Sequence, residues 1–186
     1  MSIRIIAGKF KGICIDVPNS ARATLSRARQ SLLDILESSQ IDRDVGEFFK
    51  DKVVLDCFAG SGAVGIEALS RGAKHAYFVD INTDAAKMIK ANIAKVKAEK
   101  FSTVICSDIL KIKKSEQVCD FVFLDPPFHA NINIEKVVNH LMKNGWIASY
   151  TIVAIETPTL FDTLQGFQTL FCRKIGTISF SAFMAV

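Results

Sequence analysis

A chain of 186 residues with 49% apolar and 23% charged residues has the balance of one folded domain with a sizeable core, which excludes a disordered or low-complexity chain. Its five cysteines (Cys14, Cys57, Cys106, Cys119 and Cys172) are odd in number and form no C-x-x-C pair, which argues against a disulfide framework or a zinc site. Reduced thiols, a cytoplasmic location and no metal are therefore expected, with neither a signal peptide nor a membrane span, since no apolar run approaches the ~18 residues a span needs.

The net charge of +4 is unevenly spread. Residues 1 to 30 carry Arg4, Lys9, Lys11, Arg22, Arg27 and Arg29 against the single acid Asp16, a clustering that suits a polyanion such as nucleic acid. A second block from Lys87 to Lys114 is lysine-rich and reads more simply as a solvated helix face.

In chain order, Ile3, Ile5, Phe10, Ile13, Ile15 and Val17 alternate around Gly8 and Gly12 and predict short strands or a hairpin. Helical spacing then takes over through Leu25, Ala28, Leu32, Leu33 and Leu36, with Thr24 or Ser26 as cap. Residues 38 to 50 read as a polar linker. Val53 to Leu55 form a buried strand ending at Asp56, followed by a glycine-rich loop and a helix that stops at Gly72. Ala76 to Val79 is a second strand ending at Asp80. A helix capped by Thr83 or Asp84 runs to about Ala98, and Val104 to Cys106 leads into Asp108. The strand beginning at Phe121 ends at Asp125, a helix spans about Ile134 to Lys143, and Ile152 to Ile155 is a fifth strand. Phe167 to Cys172 and Thr177 to Phe183 predict an antiparallel hairpin through Gly176.

Strands alternating with helices predict an α/β fold with a mainly parallel sheet and an antiparallel C-terminal hairpin. Ligands on such sheets bind beyond the carboxyl ends of the strands, where Asp56, Asp80, Asp108 and Asp125 all fall. Gly60-Ser61-Gly62-Ala63-Val64-Gly65 is a literal G-x-G-x-x-G, so a nicotinamide dinucleotide has to be weighed. A carboxylate at Asp56 opposes a pyrophosphate but suits S-adenosylmethionine, which carries a cationic amino group and a sulfonium in place of phosphates. Asp80 would accept from the ribose hydroxyls and Asp108 from the adenine amine, with Ile81 and Ile109 as apolar walls.

Phe121-Val122-Phe123-Leu124-Asp125-Pro126-Pro127-Phe128 is an apolar run that ends on a carboxylate, two prolines and a ring. Neither proline donates to a ladder, so the strand must stop there with carbonyls free. Asp125 and the Pro126 carbonyl can both accept from one planar amino group and draw its lone pair out of conjugation. Phe128 would then offer a stacking face, worth roughly 1–3 kcal/mol per base in nucleic-acid sites.

Taken together, Arg4-Ile5-Ile6-Ala7-Gly8-Lys9-Phe10-Lys11-Gly12, Arg22-Ala23-Thr24-Leu25-Ser26-Arg27-Ala28-Arg29, the run from Leu55 to Ala73 and Asp125-Pro126-Pro127-Phe128 resemble the RsmD family of bacterial ribosomal RNA guanine-N2 methyltransferases. The resemblance implies a Rossmann-like class I methyltransferase fold and S-adenosylmethionine as cofactor. It implies methylation of a guanine 2-amino group in 16S ribosomal RNA, free or in an assembling small subunit. The expected catalytic residues are Asp125, Pro126, Pro127 and Phe128. Asp56, Phe58, Ala59, Gly60, Ser61, Gly62, Asp80, Ile81, Asp108, Ile109 and Thr24 are expected at the cofactor, and Arg4, Lys9, Lys11, Arg22, Arg27 and Arg29 at the RNA. Residues 1–50 would be an extension carrying the basic residues, and 51–186 the catalytic core. Ala23, Ser26 and Asp80 depart from the family's usual proline, aspartate and glutamate. An adenine-N6 DNA methyltransferase, which uses the same Asp-Pro-Pro-aromatic device, and a non-catalytic cofactor-binding RNA or assembly protein are the alternatives.

Overall fold

A computed structural model describes residues 1–18, 23–38, 47–127 and 132–186, without the side chains of 23–29 and 38. Seven strands form the main sheet: β3 (Val53–Cys57), β4 (His75–Asp80), β5 (Ser102–Cys106), β6 (Phe121–Leu124), β7 (Ile152–Thr157), β8 (Phe167–Ile175) and β9 (Ile178–Ala185). Their spatial order is β5-β4-β3-β6-β7-β9-β8. The first five are mutually parallel, and β9 runs antiparallel to both β7 and β8. The predicted class and the C-terminal hairpin are both present, and Gly176 sits in the predicted turn.

Helices α1 (Ala23–Ser38), α2 (Ala63–Ser70), α3 (Thr83–Lys95) and α4 (Ile134–Lys143) follow the predicted positions. One core lies on the face of the sheet that joins Leu32, Leu33 and Leu36 of α1 to Ile66 and Leu69 of α2 and Ile89 and Ile93 of α3. The other gathers Val137, Val138 and Leu141 of α4 with Trp146 and the opposite side chains of β3, β6 and β7. The short strands β1 (Ser2–Arg4) and β2 (Cys14–Asp16) pair antiparallel, as the alternating N-terminal pattern predicts.

Three expectations need correction. The cap of α3 is Asn82, whose side chain accepts from the N–H groups of Asp84 and Ala85 at 2.8 and 3.3 Å, because its extended backbone aims that oxygen into the first turn. The helix itself ends at Lys95, before the expected Ala98. The stretch read as a polar linker ends in Phe48 and Phe49, both buried and packed edge-on against Phe121 with ring centroids 5.7 and 5.5 Å away.

Candidate active site

The chain leaves β3 for β4 and β5 on one side and returns to β6 on the other, so the order reverses between β3 and β6. A crevice opens beyond the carboxyl ends of the strands at such a reversal. There lies a cavity of about 600 Å³, within the range of roughly 300–1,000 Å³ usual for small-ligand sites. The structure brings Phe58, Gly60, Asp80, Ile81, Asp108, Ile109, Asp125, Pro126 and Pro127 together on its wall. Val79, Ser107, Leu110, Ile132 and Val137 complete the lining and were not singled out from sequence. They are ordinary apolar or small residues whose role comes from position alone.

The glycine-rich loop is held from below by carboxylates. Asp80 accepts from the N–H of Gly60 at 2.8 Å with one oxygen and from the N–H of Asn82 at 2.9 Å with the other. The N–H of Gly62 is bonded to the Ala59 carbonyl at 2.7 Å, and that of Gly65 to Asp56 at 3.0 Å. The donors of the three glycines are therefore already taken, and two of the acceptors are anionic. A pyrophosphate would meet charge of its own sign, so this loop does not fit a dinucleotide. On the cavity wall Asp80 and Asp108 offer acceptors to a ligand's donor groups, and Ile81 and Ile109 add apolar surface.

Asp56 is 2% exposed and lies behind the loop, inside β3 and not past its end. Its described contact anchors the first turn of α2 through Gly65. Ala59, Ser61 and Gly62 likewise shape the loop without lining the cavity. Gly62 needs its positive φ of 77°, and Phe58 holds a φ of 61° that non-glycine residues rarely adopt. Gly65 has a separate reason: a Cβ there would come within 2.3 Å of the Phe78 ring, so α2 packs on β4 only with glycine at that position. Asp108 borders the cavity and accepts from the N–H of Leu110 at 3.0 Å, which leaves its other oxygen for a ligand. Phe128 and Arg22 lie outside the described residues. So do the side chains of Thr24, Arg27 and Arg29.

Asp125 stands one residue past β6, and Glu156 is the penultimate residue of β7. Burial pushes Asp125 up to about 6, and burial followed by the charge of Asp125 pushes Glu156 up to about 8. Of the two, Asp125 lines the cavity, where a carboxyl shifted by burial is a candidate functional group.

Arg4, Lys9 and Lys11 are exposed on the N-terminal segment, with the Lys9 ammonium 4.8 Å from the ring centre of Phe10 and 5.1 Å from that of Phe101. Buried polar residues fasten this segment to the core. Glu67, in the middle of apolar α2, accepts from the N–H groups of Ile6 and Ala7 at 3.1 and 3.0 Å. Ser70 accepts from the N–H of Phe10 at 2.9 Å and donates to the Ala7 carbonyl. Asn92, fully buried on α3, exchanges hydrogen bonds with both backbone groups of Asp16 at 2.8 Å. Sequence reasoning assigned these three no role. The available signal was a polar side chain on the apolar stripe of a helix, which must find a partner when buried.

A family model described as conserved hypothetical protein 95 matches residues 3–184. Ribosomal RNA small subunit methyltransferase D of Escherichia coli K12 is 33% identical over 157 residues, 83% of this chain and 74% of that protein. The protein of the same name from Haemophilus influenzae is 33% identical over 161 residues, 83% of this chain and 78% of its own. The solved structure of Escherichia coli yhhF superposes with a TM-score of 0.82 at 29% identity, covering 100% of this chain and 98% of that one.

Proposed function

The chain belongs to the conserved hypothetical protein 95 family, that of the RsmD ribosomal RNA methyltransferases, and on that premise we propose that it methylates the exocyclic 2-amino group of a guanine in 16S ribosomal RNA. The enzyme is an S-adenosylmethionine-dependent RNA methyltransferase of the class I fold. Bound S-adenosylmethionine supplies an electrophilic methyl group on a sulfonium sulfur.

The observation that carries the reading is Asp125-Pro126-Pro127 on the wall of the same cavity as Asp80 and Asp108. Asp80 and Asp108 would hold the ribose and adenine ends of the cofactor, with Ile81 and Ile109 as apolar walls beside its ring. At the other end, Asp125 and the Pro126 carbonyl accept from the guanine amine and fix the nitrogen with its lone pair free. Phe128 stacks on the base, which leaves its helix to reach the site. Most of the acceleration then comes from positioning. The exposed Arg4, Lys9 and Lys11, with Arg22, Arg27 and Arg29, contact phosphates of the RNA or of an assembling small subunit. Residues 1–50 act as the RNA-contacting extension of a cytoplasmic enzyme whose core is 51–186. Among the described residues, no helix is long and apolar enough to cross a membrane.

The test is methyl transfer from labelled S-adenosylmethionine to small ribosomal subunits, or their naked RNA, from a strain lacking this gene. Labelled 2-methylguanosine after nuclease digestion is the expected result. Label in N6-methyladenine of DNA assayed in parallel replaces the partner, and cofactor binding with no turnover on any substrate replaces catalysis with a binding role.

A further inference from the structure

Asp125 and Glu156 are neighbours by construction of the sheet. β6 and β7 run parallel, with Leu124 opposite Ile155, so the residues that follow, Asp125 just past β6 and Glu156 inside β7, are both carboxylic acids. Leu124 and Ile155 both face the α4 core, and alternation within β7 turns Glu156 toward the opposite face, with Asp125 the neighbouring residue across the pair just past the end of β6. Glu156 is 3% exposed, and its Oε1 has no hydrogen-bond partner among the described residues. On its other side β9 sets Phe180 opposite it, between Ser179 and Ser181. Asp125 is the only described ionisable group whose charge acts on it. Of the other carboxylates on that face of the sheet, Asp56 accepts from the Gly65 N–H and Asp80 from those of Gly60 and Asn82. Two buried carboxyls side by side, with no cation paired to Glu156 among the described residues, cannot both ionise cheaply.

We propose that Asp125 and Glu156 form a one-proton pair in which Glu156 stays a neutral acid and Asp125 carries the charge, ready to take the proton that the methylated amine sheds. This rests on the reading of Asp125 as the group that receives the amine. When the nitrogen gains its methyl group, one N–H bond breaks, its electron pair stays on nitrogen and the proton binds an oxygen of Asp125. Because Glu156 already holds its own proton, the buried pair then bears no charge, the state its apolar surroundings favour. The proton leaves through Asp125, which borders the cavity, once product has gone. Glu156 is thus a positioning residue that acts through Asp125. If it ionises as well, the two anions repel and Asp125 is driven off the amine.

The pair is read first in the protein without substrate, by carbon-13 NMR of labelled Asp and Glu carboxyls across pH. Two steps are expected near pH 6 and 8, as a coupled pair titrates. E156Q removes the upper step, and D125N moves the surviving Glu156 step to lower pH. Methyl transfer by the wild type falls above about pH 8, and E156Q lacks that fall. Both carboxyls titrating below pH 5, an E156Q protein that keeps both steps, or an alkaline fall that persists in E156Q overturns the pair. Should E156Q not fold, an upper step that D125N leaves in place overturns it equally. Two-step titration in a protein that methylates no RNA sinks the functional reading and leaves the pair standing. Methylation with ordinary carboxyl titration does the reverse.

Discussion

The side-chain amide of Asn92 donates to the carbonyl of Ser61 at 2.9 Å while its two 2.8 Å bonds to Asp16 hold the end of β2. One buried side chain therefore ties the glycine-rich loop to the basic N-terminal segment.

Replacing Asn92 by alanine orphans the N–H and C=O of Asp16 and the C=O of Ser61. Each buried unpaired group costs about 1–3 kcal/mol, less where water reaches it. Asn92→Ala is expected to lower unfolding stability by about 2–4 kcal/mol on that scale and to weaken cofactor binding, because the loop loses its anchor. Urea denaturation and calorimetric titration with S-adenosylmethionine check the two effects. Stability loss with unaltered affinity would show that the anchor serves the fold alone.

Gly65→Ala places a methyl group 2.3 Å from Cε1 of Phe78 and 2.8 Å from its Cζ. Phe78 is fully buried, so the ring has nowhere to retreat without moving α2 from β4. Overpacking of this kind costs about 1–3 kcal/mol. The expected result is a lower Tm that Phe78→Leu partly restores in the double variant. A double variant no more stable than Gly65→Ala alone would place the strain elsewhere.

Asp80→Ala removes the acceptor for both Gly60 and Asn82 as well as the carboxylate facing the cavity. Affinity for S-adenosylmethionine should fall at least tenfold, about 1.4 kcal/mol. Asp80→Glu, which keeps the carboxylate, should keep most of it. If the alanine variant binds as tightly as the wild type, the ribose is held by other groups.

Glu67→Ala leaves the N–H groups of Ile6 and Ala7 without their acceptor and removes the carboxylate 3.5 Å from Arg71. The N-terminal segment should then exchange its amide hydrogens much faster at Ile6 and Ala7 and become open to proteolysis, while the sheet core stays protected. Equal protection in both proteins would mean that Ser70 and Asn92 suffice to hold it.

The first four strands of the sheet were legible because each is a short apolar run with an acid at or just past its end, and α4 because Asn144-Gly145 marks its end. The cavity wall was legible wherever chemistry accompanies position, as at Asp80, Asp108 and Asp125. Asp56 shows the limit of that logic. A carboxylate near a strand end reads the same whether it faces ligand or backbone, and only the fold turns it toward Gly65. Phe48 and Phe49 were hidden among acidic neighbours, since burial there is set by contact with Phe121, far along the chain. Glu156 was missed because its meaning depends on β6 and β7 being adjacent, a pairing no local pattern reveals.

The carboxyl pair also sets a direction for stability against pH. Both folded-state values are raised, Asp125 from 3.8 to about 6 and Glu156 from 4.5 to about 8, so between about pH 4 and 8 the folded protein binds more protons than the unfolded chain. Stability then falls as pH rises through this window: the contribution is fully present below the unfolded values and lost once pH passes the folded ones. The double variant Asp125→Asn, Glu156→Gln is neutral at both sites in both states and contributes no slope of its own. Unfolding free energy of the wild type minus that of the double variant should therefore decline from about pH 4 to 8 and level off above, with all other titrating groups cancelling in the difference. Chemical denaturation at a series of pH values measures it. A difference that is flat, or that rises with pH, would mean that both carboxyls are solvated and charged in the folded protein.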